Sequence, residues 1–182
     1  MKKIFIIIIS IFINTNFLYA DDRNSELNRL FNELKIKDQS SSFKIEKKIW
    51  KIWSTHPSND ELTSMLSVGS DFVNDNQYPK AVEIFTKVIE LDPSWAEAWN
   101  KRATVLYMMG EFEKSQNDID EVLKLEKRHF GALAGQGLVN IKLENYEKAI
   151  MSYEEAMKIY PTMNSPKIMI KQLKELIKNQ SI

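Results

Sequence analysis

One pattern is written three times between Glu61 and Thr162, at a spacing of 34 residues. Shifted onto itself by that distance, the chain places Gly69, Ala103 and Gly137 in one column and Ala81, Ser115 and Ala149 in another. Both columns admit only side chains of minimal size. A third column is aromatic throughout (Tyr78, Phe112, Tyr146), a fourth holds Phe85, Ile119 and Tyr153, and a fifth holds Val88, Val122 and Ala156. Pro93 and Pro161 close the first and third copies, with Lys127 in that place in the second. A fixed period of about 20 to 50 residues marks stacked supersecondary units, each of which buries its apolar face only against its neighbours.

Each copy reads as two helices. Apolar residues recur at helical spacing from Leu62 to Asn74 and Pro79 to Leu91, then Ala96 to Met109 and Glu113 to Leu125, then Phe130 to Leu143 and Glu147 to Tyr160. Breakers fall between them at Asp75-Asn76-Gln77, Gly110-Glu111 and Glu144-Asn145 within copies, and at Asp92-Pro93-Ser94 between copies. Ser58 with Glu61, and Ser94 with Glu97, have the spacing of a capping box. Ser165-Pro166 predicts an N-cap and a first-turn proline for a final helix, whose Met169, Leu173, Leu176 and Ile177 share one face.

The ends of the chain differ from the repeats. Lys2 and Lys3, an apolar run from Ile4 to Ile13, and Leu18-Tyr19-Ala20 before Asp21 read as a secretory signal cleaved after Ala20. Cleavage leaves 23 basic against 25 acidic residues, so no basic excess is available for nucleic acid or anionic lipid. The chain has no cysteine, which removes disulfides, thiol nucleophiles and Cys-based metal sites. Leu27, Leu30, Phe31 and Leu34, then Ile45, Ile49, Ile52 and Trp53, predict a helical hairpin broken at Asp38 to Ser42. Counting back 34 residues from the first copy puts Lys35 and Lys47 in the two small-residue columns and Lys44 in the aromatic one, so the hairpin is not a fourth copy. It reads as an atypical end unit covering the exposed core of the stack, with Trp50 and Trp53 as core anchors.

Taken together, the columns resemble the tetratricopeptide repeat (TPR) family. The second copy carries Trp99, Ala103, Leu106, Gly110, Phe112, Ser115, Ile119 and Val122; the third carries Leu133, Gly137, Tyr146, Ala149, Tyr153, Ala156 and Pro161; the first carries Met65, Gly69, Phe72, Tyr78, Ala81, Phe85, Val88 and Pro93. The expected fold is all-α, a right-handed α-solenoid of helix-turn-helix repeats. Its expected parts are a signal peptide (1–20), an N-terminal helical hairpin cap (21–60), three repeats (61–94, 95–128 and 129–162) and a C-terminal capping helix (163–182). Arg102 and Gln136 depart from a usual leucine of the family, and Asn140 from a usual aromatic.

The resemblance implies a concave groove lined by the first helix of each repeat. By column its residues would be Leu66, Ser70 and Val73, then Asn100, Thr104 and Tyr107, then Ala134, Leu138 and Ile141. Steps of three or four keep each set on one helix face. Some family members grip a terminal carboxylate with basic residues on this face; only Asn100, with Lys101 beside it, matches that arrangement here, so an amphipathic helix or extended apolar segment is the better-matched ligand. Gly135 and Ala134 are small without a repeat column to explain them, which points to the close approach of another backbone, from a partner or from the last helix.

Two further columns vary in concert. Val68 with Ile84, Arg102 with Asp118, and Gln136 with Ser152 are apolar, ionic and neutral polar pairs. This predicts contact where the paired helices cross, with Arg102 and Asp118 as a largely buried structural ion pair. No catalytic, cofactor or metal-binding pattern is present: His56 and His129 stand apart from any such spacing, and carboxylate pairs such as Glu154-Glu155 lie among lysines. The expectation is an exported, periplasmic, non-enzymatic adaptor or scaffold that holds a protein or peptide of the envelope in its groove. The alternative is an accessory subunit of an envelope complex, anchored by an uncleaved Met1 to Ala20 segment and contacting partners through convex or cap surfaces.

Overall fold

The computed structural model describes residues 22–180, and among them the chain is all-helical. The helices are α1 (22–36), α2 (Gln39–Trp53), α3 (Asp60–Asn74), α4 (Tyr78–Leu91), α5 (Ala96–Met108), α6 (Phe112–Leu125), α7 (Phe130–Lys142), α8 (Tyr146–Ile159) and α9 (Asn164–Gln180). The Met1–Ala20 segment lies outside the described residues. No helix among those residues is long and apolar enough to cross a membrane.

The repeat columns become contacts. A Cβ on Gly137 would lie 2.5 Å from the Tyr153 ring, and one on Gly69 would run into Phe85, so each small residue is the seat of an aromatic from the partner helix. In the second copy Ser115 fits the same kind of seam, its hydroxyl donating to the Ala103 carbonyl at 2.8 Å. The turns within the pairs recur too: Asn76, Gly110 and Glu144 share a column and all take the left-handed conformation, with φ of 57°, 80° and 59°. The pairs α3–α4, α5–α6 and α7–α8 stack in order, with α5 on α4, α7 on α6 and α9 on α8.

The columns that vary in concert form a stitch between copies as well as within them. Arg102 donates through Nε and Nη2 to both oxygens of Asp118 at 2.8 Å, and through Nη1 to Thr86 of the preceding copy at 3.0 Å. Gln136 accepts from Ser152 Oγ at 3.0 Å and donates to Asp120 of the preceding copy at 3.5 Å. These stitches are not sealed inside a helix crossing. Each lines an outward-facing crease, with volumes of about 440 Å³ at Arg102 and 520 Å³ at Gln136.

Several helix starts differ from the sequence expectation. Asn59, not Ser58, caps α3, its side chain accepting from Glu61 and Leu62 N–H. Ser94 does not cap α5; its N–H and hydroxyl both go to Asp92, at 2.9 and 2.6 Å, and Glu97 is turned inward. The expected break at Asp38 to Ser42 narrows because the Asp38 carboxylate accepts from Ser40 and Ser41 N–H and starts α2 at once. Ser165 lies inside α9, which begins at Asn164.

The hairpin takes a place that periodicity does not reveal. Instead of lying on the outer face of α3, α2 runs along the edge formed by the turns between copies. Trp95 donates its indole N–H to the Trp53 carbonyl at 2.8 Å, and Tyr160 donates its hydroxyl to Glu46 at 3.1 Å. Leu30, Leu34, Ile49 and Trp53 form one core with Phe130 and Tyr160. Arg128 reaches Asn28 of α1 and lays its guanidinium 4.6 Å from the Phe31 ring. The hairpin is thus a lateral brace spanning all three turns.

Candidate partner-binding groove

The first helices of the pairs approach one another more closely than the second helices do, α3 touching α5 and α5 touching α7. Their shared surface is therefore the inner, concave one. Two hollows lie on it and share Asn100 and Thr104. One, of about 240 Å³, is walled by Ser70, Val73, Asn74, Lys101 and Trp50. The other, of about 80 Å³, is walled by Tyr107, Ile119, Gly131, Gly135 and Leu138.

Six of the nine residues expected from the columns line these hollows: Ser70, Val73, Asn100, Thr104, Tyr107 and Leu138. The other three do not. Leu66 is 2% exposed and belongs to the core with Ala81 and Phe85. Ala134 and Ile141 are partly buried against the cluster that Ala149, Ile150 and Tyr153 of α8 form with Leu173 of α9. The column rule carries over the interior of a repeat array, but it has no knowledge of where a terminal helix will lie.

Trp50, read from the sequence as a core anchor in preference to a partner-binding patch, packs against the hairpin core and also lines the larger hollow. It is half-buried and closes one end of the groove, and a Cβ at Gly131 would come 2.6 Å from its ring. Gly131 therefore makes room for Trp50. Gly135 does not serve the same purpose, because a Cβ there would meet only Ile119, at an ordinary 3.7 Å. The space beside Gly135 belongs to the smaller hollow. An unexplained glycine was the one sequence signal for it.

The polar end of the groove is tied to a buried network. Glu97 and His129 are 1% and 0% exposed. The Glu97 carboxylate accepts from Asn100 Nδ2 and His129 Nε2, each at 3.1 Å, and Lys101 Nζ lies 3.6 Å away. His129 Nδ1 accepts the Ala132 N–H at 3.0 Å, capping α7, so the ring is the neutral tautomer carrying its proton on Nε2. Its face stacks on Trp53 at 4.0 Å. His56 repeats the arrangement: Nδ1 accepts from Ser58 N–H, Nε2 meets Asp92 at 2.7 Å, and the ring edge meets Trp95. The two histidines, remote in sequence, thus lie on one seam, and with both nitrogens engaged neither offers a base to a substrate. Among the described residues no group of three or more His, Asp or Glu side chains is placed to hold a metal ion.

Comparison with known proteins accounts for this architecture. A tetratricopeptide repeat profile matches residues 131–163. The chain is 30% identical over 150 residues to a TPR repeat-containing protein of Rhizobium etli, covering 82% of this chain and 73% of that one. The chain belongs to the tetratricopeptide repeat family. Over 93 residues, 51% of its length, this TPR protein is also 24% identical to Hsp70-Hsp90 organizing protein 3 of Arabidopsis thaliana, and spans only 17% of that protein. Its fold matches the first TPR of Spaghetti (RPAP3) bound to HSP90 peptide SRMEEVD, with a TM-score of 0.64 and 17% identity over 65% of this chain and 94% of that one.

Proposed function

We propose that this TPR protein is an adaptor that binds a segment of another protein along its concave groove, anchored by one aliphatic side chain in the hollow over Gly135. The hollow carries the reading. Its lining is small and apolar at Gly131, Gly135 and Leu138, and at about 80 Å³ it accommodates one branched side chain. Asn100 and Thr104, shared with the neighbouring hollow, border it with hydrogen-bonding groups for a ligand backbone. Family resemblance supports the same use, since the Spaghetti domain holds a peptide. That peptide, SRMEEVD, is acidic, whereas the one cation lining this groove, Lys101, sits beside Glu97. The ligand here is accordingly apolar rather than an acidic tail.

The decisive experiment places a photo-crosslinking residue at position 138 and compares the unmodified chain with Gly135→Leu. The backbone at Gly135 has room for a side chain, so the variant keeps its fold while filling the hollow. Expected is loss of the crosslinked adduct with an unchanged circular dichroism melt; an undiminished adduct would rule out the hollow as the anchor. We further propose export through Met1–Ala20 and an envelope partner. A mature amino terminus at Asp21 in the periplasmic fraction is the expected result, and a retained Met1 segment in the membrane fraction would favour the anchored accessory subunit instead.

A further inference from the structure

In the second and third copies, the face of the first helix that meets the preceding copy is covered. Ala98 and Ala132 are 0% and 1% exposed, and Leu106 and Asn140 are 7% each. The equivalent residues of the first copy are Ser64, which is exposed, and Phe72, which is half-buried; Val68 between them is 46% exposed. The cause lies in the brace. Because α2 follows the turn edge toward Trp95, Phe130 and Tyr160, no helix among the described residues precedes α3 in the stack. Met65, Val68 and Phe72 therefore form an apolar stripe on an open end. Asp60, Glu61 and Asp71 are the charges of α3, which carries no basic residue. On the adjoining α4, Lys80 and Lys87 are offset by Glu83 and Glu90, and Lys80 lies 5.5 Å from the Phe72 ring.

The opposite end has the complementary character. In α9, Met169, Ile170, Leu173 and Ile177 turn inward onto Ala149, Ile150 and Tyr153. Ile168 and Leu176 turn outward, 56% and 39% exposed. The helix carries four lysines, Lys167, Lys171, Lys174 and Lys178, against Glu175 alone. Lys174 reaches Glu154 of α8 at 3.4 Å, leaving the other three along the outer surface. One end is an apolar stripe edged by acids, the other an apolar pair edged by bases.

We infer that these two ends dock on each other between copies of the chain, α9 of one on α3 of the next. The occupant of the open α3 face is thus a second copy. Opposite charges steer and orient the encounter, and burying Val68 and Phe72 against Ile168 and Leu176 closes the stack where the brace leaves it open. The interface is heterologous, so each added copy presents a fresh head and tail and the assembly grows without closing.

Light scattering on the chain as recovered from the cell, at low ionic strength, tests this with two variants at exposed positions. Val68→Arg sets a cation against the lysines of α9, and Ile168→Glu sets an anion against the acids of α3. The unmodified chain is expected to rise in mass with concentration past two copies, and to fall back as salt screens the charges. Each variant alone stays monomeric with unchanged helix content. Their equimolar mixture gives a pair and nothing larger, because only one head and one tail remain usable. An unmodified chain that is monomeric at every concentration overturns the inference, as does association by either variant alone or a mixture that stays monomeric. A dimer lost in Val68→Arg but intact in Ile168→Glu also overturns it, since it would reveal two heads meeting.

Discussion

The repeat stack and the hairpin brace hold together by different logic. In the stack, one contact recurs between copies: Gly69 receives Phe85 and Gly137 receives Tyr153, while in the second copy Ser115 bonds the Ala103 carbonyl across the same pair of helices. In the brace the contacts follow no 34-residue period: Trp53 on His129, His56 on Asp92, Tyr160 on Glu46, Arg128 on Asn28. A solenoid's stability is close to a sum of nearest-neighbour terms, so distant copies are nearly independent. The brace changes that, because α2 bonds Trp95 of the second copy and packs on Phe130 of the third. It couples units that the stack alone would leave free to open separately.

The largest effect is expected from breaking the stack at one of its repeated seats. Gly69→Val would drive its side chain into the Phe85 ring, which is fully buried and has no room to withdraw. Overpacking of this kind costs about 3 kcal/mol. In urea the midpoint should drop for both far-ultraviolet dichroism and tryptophan emission, because the stack and the brace on it fall together. A brace signal that survives loss of the first pair would show the two regions to be less coupled than the contacts imply.

A smaller and more local effect is expected at the seam. His129→Ala removes the cap of α7 and one of the donors on the buried Glu97 carboxylate, a loss of about 2 kcal/mol. Trp50 and Trp53 both contact the His129 ring, so their emission should shift red while helix content changes little. Acid probes the same seam. Burial raises the Asp92 and Glu126 carboxyls, but hydrogen bonds from Ser94 and His56 to the first, and from Arg128 to the second, outweigh it and hold both below their ordinary values. Such groups stabilise the fold above their unfolded pKa, near pH 4, and that contribution is lost as pH falls through the folded value. Acidification below about pH 4 should thus release the brace before the stack melts, and Asp92→Asn should blunt the transition. Coincident loss of both signals in acid would break the distinction between the two regions.

What could be read from the sequence follows the same division. Helix pairs, their turns and the small and aromatic columns were visible because a period of 34 residues repeats each constraint, while which small residue seats which ring was not. The brace was not, because Trp50, Trp53, His56 and His129 occupy no shared column and meet only after the chain has folded back along the turn edge. Capping showed a related limit: Ser58 and Ser94 fit a spacing rule, yet Asn59 caps α3 and Ser94 is bonded to Asp92 instead of α5, since short polar side chains compete for local hydrogen bonds. In the groove, residues in the middle of the array were placed by their columns. Those at its margins were not: Leu66 was drawn into the core, and Ala134 and Ile141 were drawn against the cluster that α8 and α9 form.

The smallest effect sharpens the comparison from the stack's side. The turns within the pairs need a left-handed residue in one column, and Gly110 meets the need freely while Glu144 holds the same conformation at φ 59°. A non-glycine residue there carries a strain of about 1 to 2 kcal/mol, part of which glycine gives back through its larger unfolded-state entropy. Glu144→Gly should therefore stabilise the protein by about 1 kcal/mol, and Asn76→Gly by less, because asparagine tolerates this region. The check is a higher urea midpoint with an unchanged slope. The gain should appear in dichroism while the acid release of the brace stays where it was, because Glu144 sits in the turn within its helix pair, its N–H bonded to the Ile141 carbonyl. If Glu144→Gly moves that release as well, the turn strain is felt across the brace, and the two regions share one cooperative unit.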